Sequence, residues 1–119
     1  MKEFSLIFRT SPNPDFNPTP AQMQEMMTGW SNWMGGIAAR GQLASSGSRL
    51  GIREAKSVGP GGVVSDGPYT EIKEFINGFM TVKVNSVDEA VEIAKGCPML
   101  QGDGNSVEVR RLVAPDDNE

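Results

Sequence analysis

Histidine is absent from this chain of 119 residues. That removes the side chain most often used as a general base near neutral pH, and every Ser-His or Cys-His nucleophile pair with it. It also removes the commonest transition-metal ligand. The single cysteine, Cys97, cannot build a structural zinc site on its own. No metal and no cofactor is therefore expected. One cysteine permits no intramolecular disulfide, which fits a reducing compartment. Cys97 lies between Gly96 and Pro98, with Lys95 as the nearest base, and reads as a buried, inert thiol.

Basic runs are missing too. Eleven Lys and Arg are scattered among fifteen Asp and Glu, for a net charge of −4. Nucleic-acid binding needs a concentrated positive footprint and is not expected. No apolar run approaches membrane-spanning length. The start, Met1 to Arg9, has no long apolar core and no cleavage site, so it does not read as a secretory signal. The cytoplasm is the expected location, with no membrane partner.

What is present suits one folded domain with one core. Phe4 to Arg9 reads as a strand, with Phe4, Leu6 and Phe8 on one face and Ser5, Ile7 and Arg9 on the other. Ser11 to Pro18 is loop. Thr19, Pro20 and Gln22 open a helix with a capping-box pattern. Met23, Met26, Met27, Trp30, Trp33, Met34, Ile37 and Ala38 then keep one stripe toward a core, and Gly41 ends it. Gly29, Gly35 and Gly36 suggest either close approach of another backbone or a kink. Leu43 to Gly51 is a small-residue strand. Ile52 to Val58 and Gly62 to Ser65 form a hairpin about Gly59-Pro60-Gly61. Thr70 to Phe75 spans about one helical turn. Phe79 to Val84 alternates as a strand. Ser86-Val87-Asp88-Glu89 is a second capping box, and Gly96 and Pro98 stop the helix it opens. Val107 to Val113 is the last strand.

This order, βαββαβ with an inserted hairpin, predicts an α+β ferredoxin-like sandwich. Two helices cover one face of an antiparallel sheet and leave the other in need of cover. The candidate residues for that second face are Ile7, Phe79 and Leu112 beside Arg9, Lys83, Glu108 and Arg110. Which alternation meets the helices stays open at this level.

The richest local pattern is Ser65-Asp66-Gly67-Pro68-Tyr69-Thr70-Glu71-Ile72-Lys73-Glu74. Asp66 can bond the backbone ahead of it, Gly67 opens dihedrals closed to other residues, and Pro68 fixes its own φ. The simplest reading is a tight acidic turn. A sharper one is a turn that aims Asp66 and Tyr69 into a pocket. Among the carboxylates, Asp66 is the weak catalytic candidate, with Glu71 and Glu74 beside it, because a buried carboxylate can serve as acid or base. Gly59 to Gly62 lacks the Lys-Ser/Thr ending and the following helix of a phosphate loop. Trp30 and Trp33 read first as core, and second as an apolar wall for a flat ligand.

The turn resembles the DGPF signature of the YCII-related family, with Tyr69 in the usual phenylalanine place. Glu71, Lys73 and Glu74 resemble the pattern that follows it. Gly78-Phe79 resembles its next strand, Val87 to Cys97 its second helix, and Val107 to Leu112 its closing strand. The resemblance runs from Met1 to about Val113. It implies one YCII-related domain over residues 1–113, with 114–119 as an acidic, frayed tail. It also implies a homodimer in which two sheets pack face to face as a dimeric α/β barrel. Some relatives carry a His-Asp pair proposed as an active site. The histidine's place falls at or near Trp30 here, so such catalysis is not expected of this chain.

The leading functional expectation is a small-molecule-binding or accessory protein with an inter-subunit cleft. Its ligand-binding candidates are Asp66, Tyr69, Trp30, Trp33 and Arg49. Asp66 orients the ligand, Arg49 meets an anionic group, and the tryptophans supply apolar contact. One rival is a cofactor-free isomerase, lyase or oxygenase that uses a carboxylate in place of the missing histidine. Another, implied by the resemblance, is a regulatory module associated with sigma-factor-type transcription proteins.

Overall fold

A computed structural model describes residues 1–11, 16–51, 53–66 and 75–119. The element order is β1 (Lys2–Thr10), α1 (Pro20–Ala39), β2 (Leu43–Arg49), β3 (Lys56–Val58), β4 (Val64–Asp66), β5 (Phe75–Val84), α2 (Val87–Lys95) and β6 (Ser106–Arg111). Four strands form one antiparallel sheet in the order β2-β5-β1-β6, and β3 pairs with β4 as a separate ribbon. The predicted α+β ferredoxin-like arrangement is therefore present. The sheet within one chain is open.

Side-chain alternation decides which face is core. Phe4, Leu6 and Phe8 of β1 and Met80, Val82 and Val84 of β5 are buried on the helix side. Ile37 of α1 and Ala90, Ile93 and Ala94 of α2 close over them. β1 reaches both neighbours in the sheet, so Leu6 stands opposite Met80 on one side and Val109 on the other. Central placement explains why Leu6 is completely buried.

Both helices start as expected. Thr19 Oγ1 accepts from Gln22 N (3.1 Å), and Gln22 Oε1 accepts from Thr19 N (2.8 Å). Ser86 Oγ accepts from Glu89 N (3.2 Å), but the Glu89 carboxylate takes the N–H of Asn85 (2.9 Å), one residue earlier than a reciprocal box requires. Asp88 and Glu89 lie in the first turn of α2 and Lys95 in its last, each on the side the helix dipole favours.

Three expectations need correction. The apolar stripe of α1 is not core along its length: Met23, Met26 and Met27 are exposed, and Ile37 is the helix's buried residue. Burial of α1 is confined to its second half, where Trp30, Trp33, Met34 and Ile37 pack on the core. Among the described residues no second backbone approaches the glycines of α1 either. A Cβ at Gly29 would make ordinary contact with the Pro98 ring, and one at Gly35 would meet nothing.

The strand predicted from Phe79 in fact begins at Phe75 and runs through Gly78. Gly78 is required there, because a Cβ would sit 2.8 Å from Ser48 O. Its partner β2 is irregular, with register shifts on either side of Ser45. At Gly47, φ is +68° and a Cβ would fall 1.7 Å from Phe79 O, so this bulge admits only glycine.

The inserted hairpin exists, with Val58 directly opposite Val64. Its turn is the 3-10 segment Pro60–Gly62, closed by Gly59 N to Val63 O at 2.7 Å. The arms are shorter than predicted.

Candidate functional site

The two sheet faces differ in kind. Opposite the helices, parity sets Ser5, Ile7 and Arg9 of β1 beside Phe79, Thr81 and Lys83 of β5 and Glu108 and Arg110 of β6. A bulge at the end of β5 puts Ile76 opposite Arg9 and so adds it to this face. Leu112 continues the ladder through its N–H to Glu3 O (2.9 Å). Ile76, Phe79 and Leu112 are exposed, at 41%, 39% and 48%. Among the described residues no layer packs over them. Phe79 stands opposite Ile7 near the middle of the sheet, with Ile76 toward one end and Leu112 at the other.

Charge is organised on the same face. Arg9 Nε donates to Glu108 Oε1 at 3.0 Å, and Arg110 Nη1 donates to Glu108 Oε2 at 3.1 Å. One carboxylate thus serves two guanidiniums. Hydrogen bonds from Arg110 and then Arg9 hold the Glu108 carboxyl below its ordinary range. The cluster keeps one positive charge in excess, and farther along the same face Lys83 stands directly opposite Glu3.

Trp30 and Trp33 are brought together, on the helix side. Their ring centroids are 5.5 Å apart, and Phe8 meets Trp30 edge-on at 5.2 Å and Trp33 at 6.3 Å. Such edge-to-face pairs add roughly 0.5–1.5 kcal/mol each beyond the area they bury. Trp33 Nε1 donates to Ile93 O at 3.1 Å, which ties α1 to α2. The packing role is thus the one the geometry displays for Trp33.

Asp66 ends β4, well away from burial: its side chain is 88% exposed and paired with Lys56. An exposed pair of this kind contributes little. It lacks the burial that the catalytic reading of a carboxylate requires. Arg49 ends the edge strand β2, exposed and opposite Gly78. Tyr69, Glu71 and Glu74, with most of the signature turn and the expected helical turn at 70–74, lie outside the described residues. Within one chain the four described ligand-binding candidates, Trp30, Trp33, Arg49 and Asp66, are divided between the α1 aromatic cluster, the β2 edge and the hairpin.

Cys97 is buried, and desolvation pushes its thiol up to about 11. A thiol held protonated at neutral pH is a poor nucleophile. Among the described residues no group of three or more His, Cys, Asp or Glu is placed to hold a metal ion. No helix among them is long and apolar enough to cross a membrane.

Sequence reading named Arg9, Glu108 and Arg110 as second-face residues without recognising a site in them. The usable signal was parity: Ser5, Ile7 and Arg9 alternate in β1, and Glu108 and Arg110 do so in β6. Only the register of β1 on β6, with Ile7 opposite Glu108, brings the three charges together.

The sequence profile of the YCII-related domain matches residues 7–113. The chain belongs to the YCII-related domain family. A search of curated proteins finds no match. The match runs from within β1 to just past β6. It assigns no chemistry by itself. Trp30, at or near which the resemblance leads one to expect a histidine in some relatives, is packed on Phe8 and Trp33.

Proposed function

We propose that this protein is a homodimeric binder of small anionic molecules, with its two sheets packed bare face to bare face and the ligand held at the seam. The observation that carries the reading is the uncovered sheet face, where Ile7, Ile76, Phe79 and Leu112 surround the Arg9–Glu108–Arg110 cluster. Covering the apolar part removes it from water and favours association at roughly 25 cal/mol per Å². Covering the charged part is costly, because each chain brings a guanidinium in excess of its carboxylates. An anion bound between the two clusters offsets that cost. The preference for a dimer and the preference for an anionic ligand thus have one origin.

Of the sequence candidates, Arg49 extends the positive character along the sheet edge, and Asp66 belongs to the rim. Trp30 gives the apolar wall on the helix side, and Trp33 positions it. The protein is read as a binding or accessory protein without assigned catalysis.

The test is the mass of the native species together with its small-molecule content. Sedimentation at micromolar concentration is expected to give a dimer, and native mass spectrometry an anionic metabolite that Arg9→Gln loses. A stable single-copy species with the sheet face hydrated overturns the reading.

A further inference from the structure

The four-stranded sheet ends in two different edges. At one, β2 meets β5 through register shifts on either side of Ser45. Gly47, with φ at +68°, gives its N–H to the Ser45 hydroxyl at 3.1 Å. A bulged edge breaks the regular row of groups that another strand would pair with. At the other edge, β6 pairs with β1 without a shift, from Arg9 opposite Ser106 to Phe4 opposite Arg111. The strand Ser106-Val107-Glu108-Val109-Arg110-Arg111 contains no glycine and no proline. Leu112 N donates to Glu3 O at 2.9 Å, so alternation turns the backbone groups of Arg110, Glu108 and Ser106 toward β1 as well. The N–H and C=O groups of Val107, Val109 and Arg111 therefore point out of the sheet. Among the described elements no strand pairs with them.

We infer that β6 pairs with β6 of a second copy, antiparallel across a two-fold axis at Val109, and so joins two sheets edge to edge. The charge pattern selects both the occupant and the register. With the Val109 residues of the two copies opposite each other, the outward groups of Val107 meet those of Arg111. Glu108 of each chain then stands opposite Arg110 of the other, once on each side of the axis. These are non-hydrogen-bonded pairs, where facing side chains come closest, and opposite charges there are favourable. Moving the axis by one residue still lets backbone bonds form, but it sets Glu108 against Glu108 or Arg110 against Arg110. Like charges directly opposite are destabilising. A contact of this kind is isologous and closes on itself. The β2 edge of a second copy is the poorer partner, because its bulge interrupts the row.

The side chains are placed for it. Arg110 is 69% exposed, and its bond to Glu108 Oε2 uses one donor of its fork. Arg9 holds the other oxygen of Glu108 at 3.0 Å, so the carboxylate is already fixed on the outer strand. Arg111 does not compete for it. By parity it stands on the helix side with Val107 and Val109, where Asp117 (2.6 Å) and Glu119 (3.6 Å) of its own chain hold it. Joining the edges makes one continuous row of charge, with each Glu108 between guanidiniums of both chains. The seam neither needs nor blocks packing of the bare faces. Added to a face-to-face pair it gives a tetramer, and from single chains a dimer.

Hydrogen exchange at the outward amides tests the seam directly, because packing of the sheet faces does not reach them. The N–H groups of Val107, Val109 and Arg111 are expected to exchange about tenfold more slowly at NMR concentration than on dilution. The β2 edge is expected to show no such change. Glu108→Arg and Arg110→Glu, each alone, put like charges at both crossings and are expected to abolish the slowing. Mixing the two variants sets opposite charges at both crossings and is expected to restore it. Exchange that is fast at every concentration, slow in both single variants, or fast in their mixture overturns the seam. Slowing that spreads to the β2 edge marks pairing of β6 on β2 and overturns it too. None of these outcomes bears on the face-to-face dimer, which sedimentation of Phe79→Glu reads separately.

Discussion

The two faces of the central sheet are built from the same strands and differ only in parity. Phe4, Leu6 and Phe8 of β1 lie on the helix side and are buried; Ser5, Ile7 and Arg9 face the other way, where among the described residues no layer covers them. The covered face is uniformly apolar, as a closed core must be. The bare face mixes Ile7 and Phe79 with Arg9, Lys83 and Glu108, a composition no closed core would carry. One face supplies the stability of the monomer. The other stays uncovered among the described residues, and in the proposed reading it is the surface for association.

The sharpest way to break this contrast is to make equal deletions on its two sides. Leu6→Ala, in the middle of the covered face, is expected to cost about 3 kcal/mol of unfolding free energy, read by chemical denaturation. Phe79→Glu, on the bare face, is expected to leave each chain folded by circular dichroism and raise the dimer Kd at least tenfold by sedimentation. If Phe79→Glu unfolds the chain as readily as Leu6→Ala, the division of labour between the faces is wrong.

A smaller effect sharpens the role of the aromatic cluster. Trp33→Phe keeps a ring but loses the bond to Ile93 O, and a loss of about 1 kcal/mol is expected in the same denaturation experiment. Ligand binding is expected to persist, whereas a site centred on Trp33 predicts its loss.

The smallest effect concerns pH. Glu108 is held below its ordinary range by two guanidiniums. A carboxyl with a lowered folded-state pKa stabilises the fold above its unfolded value, near 4.5, and that contribution disappears as pH falls through the folded value. Stability measured at pH 6 and again at pH 3 is expected to fall less in Glu108→Gln than in the parent chain. An unchanged acid limb means the cluster is too well solvated to matter.

Much of the fold was legible because its signals are local. Thr19-Pro20 and Ser86 announce helix starts through bonds that span three residues. Period-two alternation in β1 and β5 announces strands. The glycine at 47 and the extent of β5 through Gly78 were not legible, since each depends on the approach of a strand distant in sequence. The methionine stripe of α1 misled for a related reason. Helical spacing of apolar residues shows that a stripe exists, and it carries no information about how much of it is buried.

The candidate site divides along the same line. The acidic turn at Asp66, the tryptophan pair and the missing histidine are properties of the chain as written, and they already removed histidine-based catalysis. Residue types alone specify which chemistry is possible, because each side chain brings its own donors, acceptors and charge. Whether Arg9, Glu108 and Arg110 meet, which parity faces outward, and how little of α1 is buried were decided by strand register and packing in three dimensions. Those are set by contacts between residues about a hundred positions apart, and no local pattern records them.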